Sequence, residues 1–123
     1  MTKSILVVEN EPTILDWVCR ALKTAKYEVA SAPSRTQAAL LVKSRGDQPV
    51  DLLIVDIELD GESGVEYAIE LAGIYPQARI LFISGFVDDL LLMDQKNLSG
   101  KSQFLRKPFG VSELLKAVAG LLR

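Results

Sequence analysis

The stretch from Asp51 to Gly64, DLLIVDIELDGESG, decides how the rest of this chain is read. It opens on an acid and runs through Leu52, Leu53, Ile54, Val55 and Ile57 with only Asp56 interrupting. It then becomes a loop of acids and glycines. A short β-branched run bounded by turn residues reads as a strand buried on both faces. Asp56 falls where that strand should end. A carboxylate is costly to bury unless it is paired, coordinated or used, so Asp56 is either an acid that caps a loop or the centre of a site.

Before this stretch, Ser4 to Val8 (SILVV) reads as a first strand, ending in the cluster Glu9-Asn10-Glu11-Pro12. Pro12 suits the first turn of a helix, which Asn10 or Glu11 can cap. Ile14, Leu15, Val18, Leu22 and Ala25 recur at helical spacing. Trp17 lies off that stripe and is expected to pack on a neighbour, with contact to a partner protein as the alternative. Tyr27 to Ala30 alternates as a second strand, and Ala32-Pro33-Ser34 turns into a helix capped by Ser34. That helix packs Ala38, Leu41 and Val42, and Arg45-Gly46-Asp47 closes it after about Ser44.

After the Asp60-Gly61 turn, Ser63 or Gly64 starts a helix that packs Val65, Ala68, Ile69 and Ala72 and ends at Tyr75-Pro76. Ala78 to Ser84 (ARILFIS) is a fourth strand, followed by Gly85. Val87 to Asn97 is a weakly periodic fourth helix. Leu98 to Ser102 reads as loop, and Gln103 to Leu105 as a short fifth strand before Arg106-Lys107-Pro108. Val111 to Leu122 closes the chain as an amphipathic helix with Leu114, Leu115, Val118, Leu121 and Leu122 inward.

Strands alternating with helical crossovers imply an α/β fold: a doubly wound (βα)5 domain over residues 1–123, with parallel strands and helices on both faces of one sheet. The strand order 2-1-3-4-5, flavodoxin-like, is carried over from known folds of this pattern. It puts any site beyond the carboxyl ends of the strands.

Composition narrows the options. A chain of 123 residues, 49% of them hydrophobic, can build one core. With a formal charge of -2 and scattered Lys and Arg, no footprint for nucleic acid or an anionic membrane is visible. No apolar run is long enough to span a membrane, and none resembles a signal peptide, so a cytoplasmic location is expected. The single cysteine, Cys19, reads as a buried thiol, and the absence of histidine excludes His-based catalysis and His-ligated metals.

The strand ends deliver Glu9 and Asn10, then Asp56, Ser84 and Lys107. Oxygen ligands without His or Cys suit a hard cation such as Mg²⁺, and a lysine opposite carboxylates can pair with Asp56 or with a bound anion. Neither a Walker-type phosphate loop nor a dinucleotide fingerprint is present.

These residues resemble the response regulator receiver domain of two-component signal transduction, the CheY-like family, over essentially the whole chain. The motifs that carry the resemblance are VVEN (Val7 to Asn10), LLIVDIELDGESG (Leu52 to Gly64), ILFISG (Ile80 to Gly85) and FLRKPF (Phe104 to Phe109). The resemblance implies a phosphorylation-operated switch rather than an enzyme, beyond self-phosphorylation from a donor and autodephosphorylation. Asp56 would accept a phosphoryl group from a histidine kinase or phosphotransfer protein. Glu9, Asn10, Asp56 and the backbone carbonyl of Glu58 would hold Mg²⁺. Lys107 would bond the phosphoryl group, Ser84 and Phe104 would act as the switch pair, and the peptide bond before Pro108 would be cis. The face made by the fourth helix, fifth strand and fifth helix would then change for a downstream protein target. Homodimerisation through that face is a family habit.

Three positions depart from the family pattern. Asn10 stands where a second metal-binding acid is usual, which predicts weakened Mg²⁺ binding and slower phosphorylation. A unit charge at about 4 Å is worth roughly 4 kcal/mol gross at an effective dielectric near 20, although the longer Glu9 can compensate. Asp60 replaces a frequent proline. The run Leu90-Leu91-Leu92-Met93 is either core or a docking patch. The competing reading is therefore a pseudo-receiver, a phosphorylation-independent interaction module. A small flavodoxin-like enzyme or cofactor binder is a third reading, which lack of flavin colour or nucleotide binding would remove. The chain is expected to start naturally at Met1 and, ending at Arg123 after the last helix, to carry no output domain.

Overall fold

The computed structural model describes residues 2–85 and 102–123. Their order is β1 (Ser4–Val8), α1 (Pro12–Thr24), β2 (Glu28–Ala32), α2 (Arg35–Arg45), β3 (Leu52–Asp56), β4 (Glu58–Leu59), β5 (Glu62–Ser63), α3 (Gly64–Ile74), β6 (Arg79–Ser84), β7 (Ser102–Arg106) and α4 (Val111–Leu121). The helix expected over residues 87–97, with its Leu90 to Met93 run, lies outside the described residues.

Five strands form one parallel sheet in the order β2-β1-β3-β6-β7. With the short β4–β5 pair set aside, this is the expected order 2-1-3-4-5. The central strand β3 pairs with β1 on one side and β6 on the other, and all of its residues are buried.

Alternation along each strand sorts the core into two layers. Leu6, Val8, Leu53, Val55, Ile80 and Phe82 face the helices α2 and α3, through Ala38, Val65, Ala68 and Leu71. Ile5, Val7, Leu52, Ile54, Leu81 and Ile83 face α1 and α4, through Val18, Leu22, Leu114 and Val118. Truncating a fully buried Leu or Ile of this kind to Ala costs about 2–5 kcal/mol.

The helix signals work locally. The Ser34 hydroxyl accepts from the Gln37 N–H, and the Ser63 hydroxyl from the Glu66 N–H. Gly46, with φ of 60°, follows the last residue of α2. Trp17 packs on Phe109, with ring centroids 5.6 Å apart.

Three packing expectations need correction. Ile69 is 41% exposed, because α3 turns Val65, Ala68 and Leu71 to the sheet and buries Tyr67 on the neighbouring flank. Tyr67 is held there by its hydroxyl, which donates to the Arg35 carbonyl at 3.4 Å, and by the Arg35 guanidinium 4.7 Å from its ring. Ala25 is exposed, since α1 ends at Thr24. The loop after β3 is a hairpin: Glu58 pairs with Ser63 and Leu59 with Glu62 across Asp60 and Gly61, both with positive φ. Asp-Gly is a favoured pair for such a two-residue turn.

Candidate functional site

The carboxyl ends of β1, β3, β6 and β7 converge, bringing together residues separated by up to 98 positions. Asp56, the last residue of β3, is 3% exposed. Its Oδ1 accepts from the Glu58 N–H at 2.9 Å, and its Oδ2 lies 3.2 Å from Lys107 Nζ. Its backbone is crowded as well. A Cβ on Gly64 would sit 1.8 Å from the Asp56 carbonyl oxygen, so only glycine allows α3 to start this close.

Lys107 follows β7, and its cis peptide bond leads into Pro108. Its backbone N–H donates to the Ser84 carbonyl at 2.8 Å. Its ammonium meets three carboxylates: Asp56, Glu9 at 3.2 Å and Glu11 at 3.0 Å. Burial works against the ammonium, but Glu11, Asp56 and Glu9 outweigh it and hold the lysine pKa above its ordinary value.

Glu9 is fully buried. Burial is the main cause that pushes its pKa up to about 7, and the Asp56 charge adds to it. The Glu11 N–H, 3.1 Å from Glu9 Oε1, and the Lys107 charge pull the other way. Glu9 Oε2 is buried with no hydrogen-bond partner among the described residues, and so is Asn10 Oδ1. The Asn10 Nδ2 donates to Asp60 Oδ1 at 3.2 Å.

Carboxylate oxygens of Glu9, Glu11 and Asp56 all lie within 4.8 Å of one another. An all-oxygen donor set containing buried, unpartnered oxygens fits a hard divalent cation. Of the expected ligands, Glu9 and Asp56 lie together in this cluster, Asn10 follows Glu9 in the chain and reaches Asp60, and Glu58 begins β4 two residues after Asp56. Ser84 is 1% exposed at the end of β6. Phe104 is half-buried in β7, opposite Phe82, against the α2–α3 layer.

Glu11 is the residue that sequence reasoning missed. It occupies the N-cap position of α1 but makes no capping hydrogen bond, and its carboxylate turns to Lys107 instead. The available signal was chemical: glutamate is a poor N-cap compared with Ser, Thr, Asp or Asn.

Comparisons with known proteins agree with this geometry. The model of the response regulator receiver domain matches residues 5–119. The heme response regulator HssR of Staphylococcus aureus is 30% identical over 118 residues, covering 96% of this chain and 50% of that protein. The chain thus spans about half the length of the curated relatives it matches. A CheY-like receiver domain protein from Methanospirillum hungatei superposes with a TM-score of 0.84 at 21% identity, covering 99% of this chain and 94% of the other, which shows the shared fold. A response regulator from Burkholderia pseudomallei, solved with a phosphorylated aspartic acid, a calcium ion and citrate, gives a TM-score of 0.77 at 25% identity, covering 94% of this chain and 65% of the other. No helix among the described residues is long and apolar enough to cross a membrane. With the family model spanning most of its length and the acid–lysine cluster at its sheet edge, the chain belongs to the response regulator receiver domain family of two-component signalling.

Proposed function

We propose that this chain is a phosphorylation-operated switch in which Asp56 is the phosphoacceptor. The observation that carries the reading is the Asp56 carboxylate, buried at the sheet edge between the Glu58 N–H and the Lys107 ammonium. In the transfer, an Asp56 carboxylate oxygen bonds to phosphorus. The phosphorus–nitrogen bond of a donor phosphohistidine breaks, and its electron pair stays on the leaving imidazole. The half-buried ammonium of Lys107 opposes the charge on the phosphoryl oxygens, and the fixed carboxylate supplies the alignment on which such transfers depend.

Glu9, Asn10, Asp56 and the backbone carbonyl of Glu58 would hold Mg²⁺, with Glu11 close enough to add charge. Mg²⁺ held there would supply positive charge that, among the described residues, Lys107 brings to this acidic cluster. Conversion of Asp56 to an acyl phosphate would engage the Ser84 hydroxyl and alter the packing of Phe104, remodelling the β7 side for a protein target. The Burkholderia relative, with its phosphorylated aspartic acid and calcium ion, supports both the acceptor chemistry and a divalent cation beside it.

One observation favours the pseudo-receiver: Asn10, an uncharged amide, stands where the resemblance expects a second metal-binding acid. Titration with beryllofluoride and Mg²⁺ separates the two readings. Trp17 fluorescence can report it, because the indole packs on Phe109 beside Lys107 and Pro108. Saturable binding that needs both Mg²⁺ and Asp56, and is lost in Asp56→Ala, is the expected result. No response at millimolar Mg²⁺ would favour the phosphorylation-independent module.

A further inference from the structure

The two family departures closest to the site, Asn10 and Asp60, are 50 positions apart in sequence and touch in the fold. Asp60 gets there through the β4–β5 hairpin, whose two-residue turn swings it back over the end of β1. A carboxylate only accepts hydrogen bonds, whereas an asparagine amide has a donating end and an accepting end. The amide end that meets Asp60 must therefore be the NH₂, and the carbonyl oxygen must point the opposite way. That oxygen, Asn10 Oδ1, is the buried one without a partner. The neighbouring Glu9 is fully buried and its Oε2 is likewise unpartnered.

We propose that Asp60 is a positioning residue: its carboxylate fixes the Asn10 amide with the oxygen inward, so that a neutral side chain serves as a divalent-cation ligand beside Glu9 and Asp56. The assignment rests on the receiver reading and deepens it. Without Asp60 the amide is free to flip and turn its NH₂ toward the carboxylates inside, an arrangement that a bound cation would have to reverse. Orientation by an outer partner is a general way of tuning metal ligands. Asp60 is exposed, so its charge acts on the cation through water and is screened, while its hydrogen bond acts locally. The role does not follow from turn chemistry alone, because asparagine or glycine would make the same positive-φ turn.

The test uses Mg²⁺ alone as ligand and two readouts on the full chain. The first is the Asn10 side-chain NH₂ resonance pair in metal-free protein; the second is Mg²⁺ affinity from amide shifts. Asp60→Gly keeps the turn and deletes the carboxylate. It should move the Asn10 NH₂ pair and weaken Mg²⁺ binding about five- to tenfold, the cost of breaking one amide–carboxylate hydrogen bond to turn the oxygen inward. In an Asn10→Asp background, where no amide needs orienting, Asp60→Gly should change affinity less than about twofold. Equal losses on Asp60→Gly with Asn10 and with Asp at that position would reduce Asp60 to a distant charge and overturn the proposal. An unmoved NH₂ pair would do the same. Mg²⁺ binding by Asn10→Asp but not by the natural protein would also overturn it while leaving the receiver reading intact. Failure of both proteins to bind Mg²⁺ would bring down the receiver reading itself.

Discussion

The two halves of the sheet edge are built differently. On the β3–β7 side, a buried acid meets a half-buried lysine, and each is anchored by backbone as well: Asp56 by the Glu58 N–H and the close approach of Gly64, Lys107 by the Ser84 carbonyl. On the β1 side, Glu9, Asn10 and Glu11 stand in a row with one lysine between two of them. They leave buried oxygens unpartnered, and a neutral amide sits where an acid is usual. The first half is satisfied within the protein. The second is held short of satisfaction, which is the condition of a place that awaits a ligand.

Removing the ammonium attacks both halves at once and should give the largest effect. Lys107→Met leaves Asp56 and Glu9 buried without their cation, so urea denaturation at pH 7 should show a loss of about 3–5 kcal/mol, partly restored by Mg²⁺. Unchanged stability would mean that the carboxylates do not depend on the lysine. Gly64→Ala strikes the satisfied half only. The added methyl must displace the backbone at Asp56, for an expected cost of about 1–3 kcal/mol and a fall in beryllofluoride affinity. A variant as stable and as tight-binding as the natural chain would show that the α3 start is less rigid than drawn.

The unsatisfied half should respond to pH. The folded-state pKa of Glu9 is raised by burial to about 7 from its ordinary value of 4.5. A raised carboxyl pKa contributes stability that is complete below the unfolded value and lost as pH rises through the folded one. Metal-free protein should therefore lose roughly 1–3 kcal/mol of Glu9-linked stability between about pH 4.5 and 7. Mg²⁺ affinity should rise over the same window as Glu9 ionises. Denaturation curves at the two ends, with chelator present, check this, and the slope should be absent from Glu9→Gln. The smallest effect belongs to Glu11→Gln. Glu11 is exposed, so the loss of its pairing with Lys107 should cost less than about 1 kcal/mol. A larger loss in the same denaturation assay would promote Glu11 from neighbour to structural member of the cluster.

What could be read from the sequence divides along the same line. Strand runs such as LLIVD and ILFIS, caps such as Ser34 and Ser63, and the order of Glu9, Asp56, Ser84 and Lys107 at strand ends follow from local patterns plus the connection rules of parallel sheets. The contacts that cross the fold were not legible. Asn10 and Asp60 meet only because a hairpin replaces the expected loop. Glu11 turns away from the helix it begins. Ile69 fits a helical stripe as well as Tyr67 does. The difference between them comes from Arg35, on another helix, which claims the tyrosine through its carbonyl and its guanidinium. Spacing reports which face a residue shares, and only the partner element decides which of two adjacent flanks is covered.

β3 is a partition between two interiors: Leu53 and Val55 belong to one side, Leu52 and Ile54 to the other, and Asp56 continues the second series. Swapping one aliphatic residue for another in this segment disturbs a single compartment. Inserting or deleting one residue between positions 52 and 55 would exchange the compartments and turn the terminal acid half a revolution away from Lys107. The segment can thus vary in composition over its history while its length stays fixed, and a reading-frame-preserving codon gained or lost there would abolish the acid–lysine pair without altering either residue.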